Sequence, residues 1–188
     1  MFDSLRQTLE TQQPLSDTDW LAFQSCLQQK RYAKNELLLQ TGQVCRGIWF
    51  VQKGAVRSYV SKDGTEVHTG FSFENDFVTA YESMTRQEPS SVMLVALEPL
   101  EAIYFGRDEL INLYQQAPSL TQLGRLILEK VIVLQQHYAS LFTLYSPTER
   151  YQRLTEKYPH MVQRVPVQYI ASYLGMARET LSRIRQKK

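Results

Sequence analysis

The sequence predicts an α+β chain: a body of short strands, then one long helix, then a small two-helix motif. Three observations carry this. Between Lys30 and Gly106 short apolar runs recur between turn signals, the spacing of a sandwich, barrel or roll. From about Ser119 to Leu144 apolar residues return every seven positions, as in a helix with a seam. From Pro166 to Arg185 the residue sizes follow the order that two helices crossing at a tight turn require.

Residues 2–11 suit a short helix. Ser16 opens a second, because its hydroxyl can accept from first-turn N–H groups and Asp17 and Asp19 favour the positive helix end. The spacing Trp20, Phe23, Leu27 continues it to about Gln28. Strand-like runs follow at Glu36–Gln40, Gly47–Lys53, Ala55–Ser61, Glu66–Phe73, Val92–Ala96 and Leu100–Phe105. Lys62-Asp63-Gly64 is the best hairpin signal, since glycine takes a positive φ there without a Cβ clash. Tyr81–Pro89 breaks the rhythm and reads as a short helix or loop. Asp108–Gln116 is a further short helix, stopped near Ala117-Pro118.

The long helix spans about 39 Å at ~1.5 Å per residue. Leu120, Ile127, Leu134 and Leu141 share one heptad position, and Gly124, Val131 and Tyr138 fill its companion. Leu123, Leu126, Leu128, Ile132, Val133 and Phe142 lie off that seam. A helix apolar on two sides is expected to be buried on two sides, against the strand body and against a second copy of the chain. The seven seam residues are therefore the expected dimer interface, with a fully buried core helix of a monomer as the alternative. Ser146-Pro147-Thr148-Glu149 then restarts a helix with a capping box and a proline at its first position. It should end at Tyr158-Pro159. The expected domains are residues 1–144 and 145–188.

With 43% hydrophobic and 21% charged residues the composition is that of a globular chain. No apolar run reaches the ~18–20 residues of a membrane span, and Met1–Glu10 lacks the blocks of a signal peptide. Cys26 and Cys45 make neither a disulfide framework nor a metal cage, so the cytoplasm is the expected compartment. Charge is unevenly divided. Residues 1–143 hold 12 Lys/Arg against 16 Asp/Glu, whereas residues 144–188 hold 9 against 3. A basic tail on an acidic body suggests an anionic partner for the last quarter alone, although a merely solvated basic helix would look the same.

In PVQYIASYLGMARETLSRIR, Ile170 and Leu174 can face a core and Ala171 is small where helices cross. Gly175 takes the turn, and Leu181 and Ile184 return to the core. This is the size pattern of a helix-turn-helix. Its second helix exposes Arg178, Glu179 and Arg183, which suit base edges, because arginine pairs bidentately with guanine and glutamate accepts from cytosine N4. Gln168, Thr180, Ser182, Arg185, Lys187 and Lys188 suit backbone phosphates.

Gly175-Met176-Ala177-Arg178-Glu179-Thr180-Leu181-Ser182-Arg183-Ile184 resembles the recognition helix of the cyclic-AMP receptor (CRP/FNR) family. Leu37–Gly42, Ile48–Gly54-Ala55-Val56-Arg57 and Asp63-Gly64 resemble that family's β-roll, with glycines at its turns. The resemblance covers nearly the whole chain. It implies a double-stranded, jelly-roll-like β-roll of the cyclic-nucleotide-binding-domain type, a dimerisation helix and a DNA-reading helix-turn-helix. The implied partners are double-stranded DNA, a second copy of the chain, RNA polymerase and a small-molecule effector. The resemblance places an effector pocket around Phe73, Thr79, Ala80, Tyr81, Ser90 and Ser91, and implies no catalysis, cofactor or metal.

Two departures bear on function. Cyclic-AMP-binding members carry a Gly-Glu pair and, about ten residues on, an Arg-Ser/Thr-Ala. Here those places read Thr79-Ala80 and Pro89-Ser90-Ser91. A buried phosphate with no cation to pair it is costly, so cyclic AMP and cyclic GMP are not expected to bind. The sequence also stops straight after the recognition helix, without the β-hairpin wing of many relatives. His68, His137 and His160 sit at no ligand spacing, and no phosphate loop, metal motif or nucleophile elbow is present. The expectation is a transcription regulator of this type on an inverted-repeat operator. The alternative is a dimeric effector-sensing or protein-interaction module with a vestigial helix-turn-helix.

Overall fold

A computed structural model describes residues 1–186, and Lys187 and Lys188 lie outside the described residues. Two helices, α1 (Asp3–Glu10) and α2 (Asp17–Gln24), precede β1 (Gln28–Tyr32), β2 (Leu37–Leu39), β3 (Gly47–Lys53), β4 (Val56–Lys62), β5 (Thr65–Ser72) and β6 (Phe77–Val78). After α3 (Tyr81–Arg86) come β7 (Val92–Ala96) and β8 (Leu100–Gly106). The chain ends in helices α4 (Arg107–Gln116), α5 (Pro118–Leu144), α6 (Pro147–Lys157), α7 (Pro159–Arg164), α8 (Val167–Tyr173) and α9 (Arg178–Gln186). The strands form two sheets, ordered β1-β8-β3-β6 and β2-β7-β4-β5. The architecture is the expected α+β β-roll followed by helices.

Chain packing defines two compact units. One is Met1–Ser58 with Phe71–Lys130, and the other is Tyr59–Gly70 with the residues from Val131 onward. In the first unit the period-2 alternation of β3 decides which side each residue serves. Phe50 joins Ile103, Phe105, Phe23, Leu5 and Leu113 in the core beneath the helices. Trp49 and Val51 join Val56, Leu94 and Ala102 inside the roll. There the Trp49 indole N–H donates to the Tyr32 hydroxyl at 2.9 Å, which answers the one polar atom of a buried indole. Ser16 caps α2 as expected, accepting from the Asp19 N–H at 3.1 Å.

Leu120 is only 3% exposed and belongs to the core beneath the helices, so this seam residue is consumed by its own chain. Leu128, Val131, Ile132, Val133 and Leu134 are instead exposed along the same helix.

In the second unit Asp63 (φ 52) and Gly64 (φ 76) make the two positive-φ positions of the hairpin joining β4 to β5, the geometry that matches strand twist. Ser146 and Glu149 close the expected capping box on α6, with Pro147 at its start. Arg150, one turn further, fastens the end of α5. Its Nε donates to the carbonyls of Tyr145 at 3.0 Å and Leu141 at 3.2 Å, and Nη2 to Phe142 at 3.3 Å. Nη1 reaches the Leu174 carbonyl at 3.1 Å, and the guanidinium lies over the Phe142 ring. One cation thus satisfies carbonyls that a helix C-terminus leaves without partners.

Candidate nucleic-acid interface

Helices α8 and α9 are joined by Leu174-Gly175-Met176-Ala177. Gly175 has φ +65, a conformation that side-chain-bearing residues rarely adopt, and a Cβ there would stand 3.0 Å from the Phe142 ring. The turn is closed by the Gly175 N–H on the Ser172 carbonyl and the Met176 N–H on the Ala171 carbonyl, both at 3.0 Å. Ile170, Ala171, Leu174 and Leu181 are fully buried, in the slots their sizes suggest. Ile184 is half-buried rather than core.

With Leu181 turned inward, helical periodicity turns Arg178, Glu179, Ser182, Arg183 and Arg185 outward, and all five are exposed. The three candidate base-reading residues therefore share one solvent face. Of the candidate phosphate contacts, Gln168 is exposed on α8 and Thr180 is half-buried. Lys187 and Lys188 lie outside the described residues. A hollow of about 380 Å³ opens between Val167, Arg178, Ser182, Arg185 and Gln186. Two guanidinium groups and a hydroxyl around such a hollow suit an anionic oxygen, by charge and by donor count.

The opposite side of α8 is held by the second half of α5. Tyr138 and Tyr173 stack at 4.7 Å, and the Tyr138 hydroxyl donates to the Tyr173 carbonyl at 2.9 Å. Burial pushes the Tyr138 hydroxyl up to about 12 and raises Tyr173 as well. An unfolded tyrosine ionises near pH 10. The stability that the neutral, buried pair contributes is therefore complete below pH 10. It is lost as pH rises from about 10 through about 12. Denaturant titrations between pH 9 and 12 are expected to show this alkaline slope, and Tyr138→Phe should flatten it. An unchanged slope would mean that these hydroxyls are not buried.

The six residues expected to form an effector pocket differ in their exposure. Phe73, Ala80 and Ser90 are buried, and Tyr81 and Ser91 are exposed. Two of their hydroxyls are engaged: Thr79 donates to the Gly47 carbonyl at 3.0 Å and Ser90 to the Val92 carbonyl at 2.9 Å. Ser83 accepts from the Cys45 N–H and donates to the Glu88 carbonyl. Arg86 pairs with Glu82 at the surface. The open groove of the first unit, about 580 Å³, is lined by Lys30, Tyr32, Leu38, Gln43, Arg46, Trp49 and Tyr104 among others. It includes none of the six. Among the described residues no three His, Cys, Asp or Glu side chains gather as metal ligands, and no helix is long and apolar enough to cross a membrane.

Residues 29–117 match the model of the cyclic nucleotide-binding domain family. The order of two-sheet roll, long helix and C-terminal helices is also found among solved structures of other proteins. Three of these are similar to this chain in fold. CLP of Xanthomonas campestris, described as a c-di-GMP-responsive global regulator, superimposes with a TM-score of 0.71 at 19% identity, covering 92% of this chain and 91% of that one. FixK2 of Bradyrhizobium japonicum gives 0.71 at 17% identity over 86% and 83%. The catabolite activator protein of Thermus thermophilus gives 0.59 at 18% identity over 96% and 85%. No curated protein matches the chain by sequence.

Proposed function

We propose that this chain is a sequence-specific, DNA-binding transcription regulator that acts as a homodimer on an inverted repeat and does not respond to cyclic AMP. The observation that carries the reading is the outer face of α9. Arg178, Glu179 and Arg183 stand exposed together on a helix whose inner face is anchored by the fully buried Leu181. Exposed side chains near the start of such a helix can enter a major groove. A vestigial motif would be favoured had Arg178 and Arg183 folded back onto their own domain, and both are exposed. Two features support insensitivity to cyclic AMP. Ala80 stands where a ribose-holding carboxylate would be needed, and Pro89-Ser90-Ser91 supply no cation for a phosphate.

The test is fluorescence anisotropy on duplexes selected from a random pool, against scrambled controls, over a salt series with and without cyclic AMP. On the selected duplex Arg183→Ala should cost ~1–3 kcal/mol and relax the preference at one base pair per half-site. Arg185→Ala should weaken all duplexes alike and lower the salt slope by about one unit, the share of a single neutralised phosphate. Equal losses for Arg183→Ala on selected and scrambled duplexes would reduce α9 to a basic patch.

A further inference from the structure

Within the second unit, α8 meets strand β5 of the β4–β5 hairpin through residues about a hundred positions away in sequence. Strand β5 is the outer strand of its sheet, so its outward backbone groups need partners. One side chain supplies two of them. The Ser172 hydroxyl accepts from the His68 N–H at 3.0 Å and donates to the Glu66 carbonyl at 3.0 Å. It answers a donor and an acceptor of the strand at once, as a neighbouring strand would. One turn earlier on α8, Tyr169 stacks on the His68 ring at 4.4 Å with the planes 25° apart. Tyr59 covers that ring from another side at 5.5 Å. His68 is 2% exposed, so this is a packed joint and not a surface touch.

The joint holds the helix against which α9 packs. While it is made, Arg178, Glu179, Ser182 and Arg183 remain exposed, so seating the motif on the hairpin does not cover the face proposed to read DNA. From this, and resting on the DNA-binding reading above, the geometry points to Ser172 and Tyr169 as positioning residues. They seat the helix-turn-helix on the 59–70 hairpin and so fix the orientation in which each subunit presents α9. A joint of this kind matters only when two motifs must fit one duplex together. A single half-site needs only a folded α9. An inverted repeat needs both helices at a set spacing, and binding the second half-site gains from effective concentration only if that geometry is held.

The experiment compares the full-length wild type, Ser172→Ala and Ser172→Thr on two duplexes, the selected inverted repeat and a single half-site, with thermal unfolding of each protein alongside. Ser172→Ala removes both hydrogen bonds. It is expected to weaken full-repeat binding about tenfold or more, with half-site binding and the unfolding midpoint near wild type. Ser172→Thr keeps the hydroxyl and should restore full-repeat binding. Unchanged binding to the full repeat would overturn the proposal, and so would tighter binding, which would make the joint inhibitory. Equal losses on both duplexes would overturn it too, by showing that Ser172 serves only the folding of the motif. A wild type with no preference for the repeat over scrambled DNA would remove the DNA-binding reading and this inference with it. Amide exchange at His68, faster in Ser172→Ala than in wild type, reports the joint itself without DNA.

Discussion

Leu181→Ala is expected to lower the stability of the C-terminal unit by about 2–5 kcal/mol and to abolish site-specific DNA binding. Leu181 is fully buried, as are Ile170 and Leu174 on the facing helix and turn. Removing three carbons there leaves a cavity in a small core, and short helices cannot collapse far to fill it. The cost falls on a unit of ordinary marginal stability, ~5–15 kcal/mol in a typical domain, so the motif becomes loose or unfolded at 37 °C. Helix α9 has no other fully buried side chain, so nothing else would keep its outer face in register. Chemical denaturation followed by circular dichroism measures the first effect, and anisotropy on the selected duplex measures the second. Arg183→Ala is the necessary contrast: it is exposed, so it should change the duplex preference while leaving the unfolding curve in place. A loss below about 1 kcal/mol for Leu181→Ala would mean that α9 is not anchored as described.

What is legible in the sequence is whatever local chemistry determines. The strands from Gly47–Lys53 onward are delimited by glycine and Asx turns and agree with the structure to within a residue or so. Ser146, Pro147 and Glu149 define their helix start through contacts only three residues apart. Strand β1 leaves no mark in the sequence, because Gln28–Tyr32 carries no apolar alternation. Four of its five residues are exposed, and it owes its existence to pairing with β8, more than sixty residues away. Strand β6 is two residues long and leaves no period to detect. Pro159 reads as a stop, yet it is also the first residue of α7, the position at which its missing N–H costs nothing.

The candidate site divides along the same line. The exposed face of α9 follows from helical period and a single glycine, and Arg178, Glu179 and Arg183, the residues proposed to read DNA, are all exposed on that helix. The expected effector pocket follows only from resemblance, and at two of its positions the Thr79 and Ser90 hydroxyls donate to carbonyls of the chain itself. The groove that does open is shaped by how β1, β2, β3 and β8 meet, which no local pattern encodes. The joint between Ser172 and the hairpin is equally hidden, since a serine on a helix is ordinary until a strand edge lies beside it.

Val131→Glu is expected to convert the proposed dimer into a monomer with little effect on the fold of either subunit. Val131 is 42% exposed, and Leu128, Ile132, Val133 and Leu134 are exposed around it on the same helix. Five large apolar side chains exposed within two turns of one helix are more than the scattered single residues of an ordinary surface. Val131 and Leu134 hold the two heptad positions within this exposed stretch, which suits a second copy of the same helix, whereas Gly124 and Tyr138 lie against Tyr114 and Tyr173 of their own chain. In a two-fold pair the substitution would set two carboxylates near each other in a dry seam, a penalty on the order of several kcal/mol. In a lone subunit the new carboxylate would sit in water at almost no cost. Leu120→Glu separates the two situations, because Leu120 lies in the subunit's own core and its substitution should unfold the first unit instead. Light scattering across micromolar concentrations, with circular dichroism on the same samples, distinguishes the outcomes. A monomeric wild type would end the dimer proposal. A Val131→Glu protein that stayed dimeric would move the interface off this face of α5.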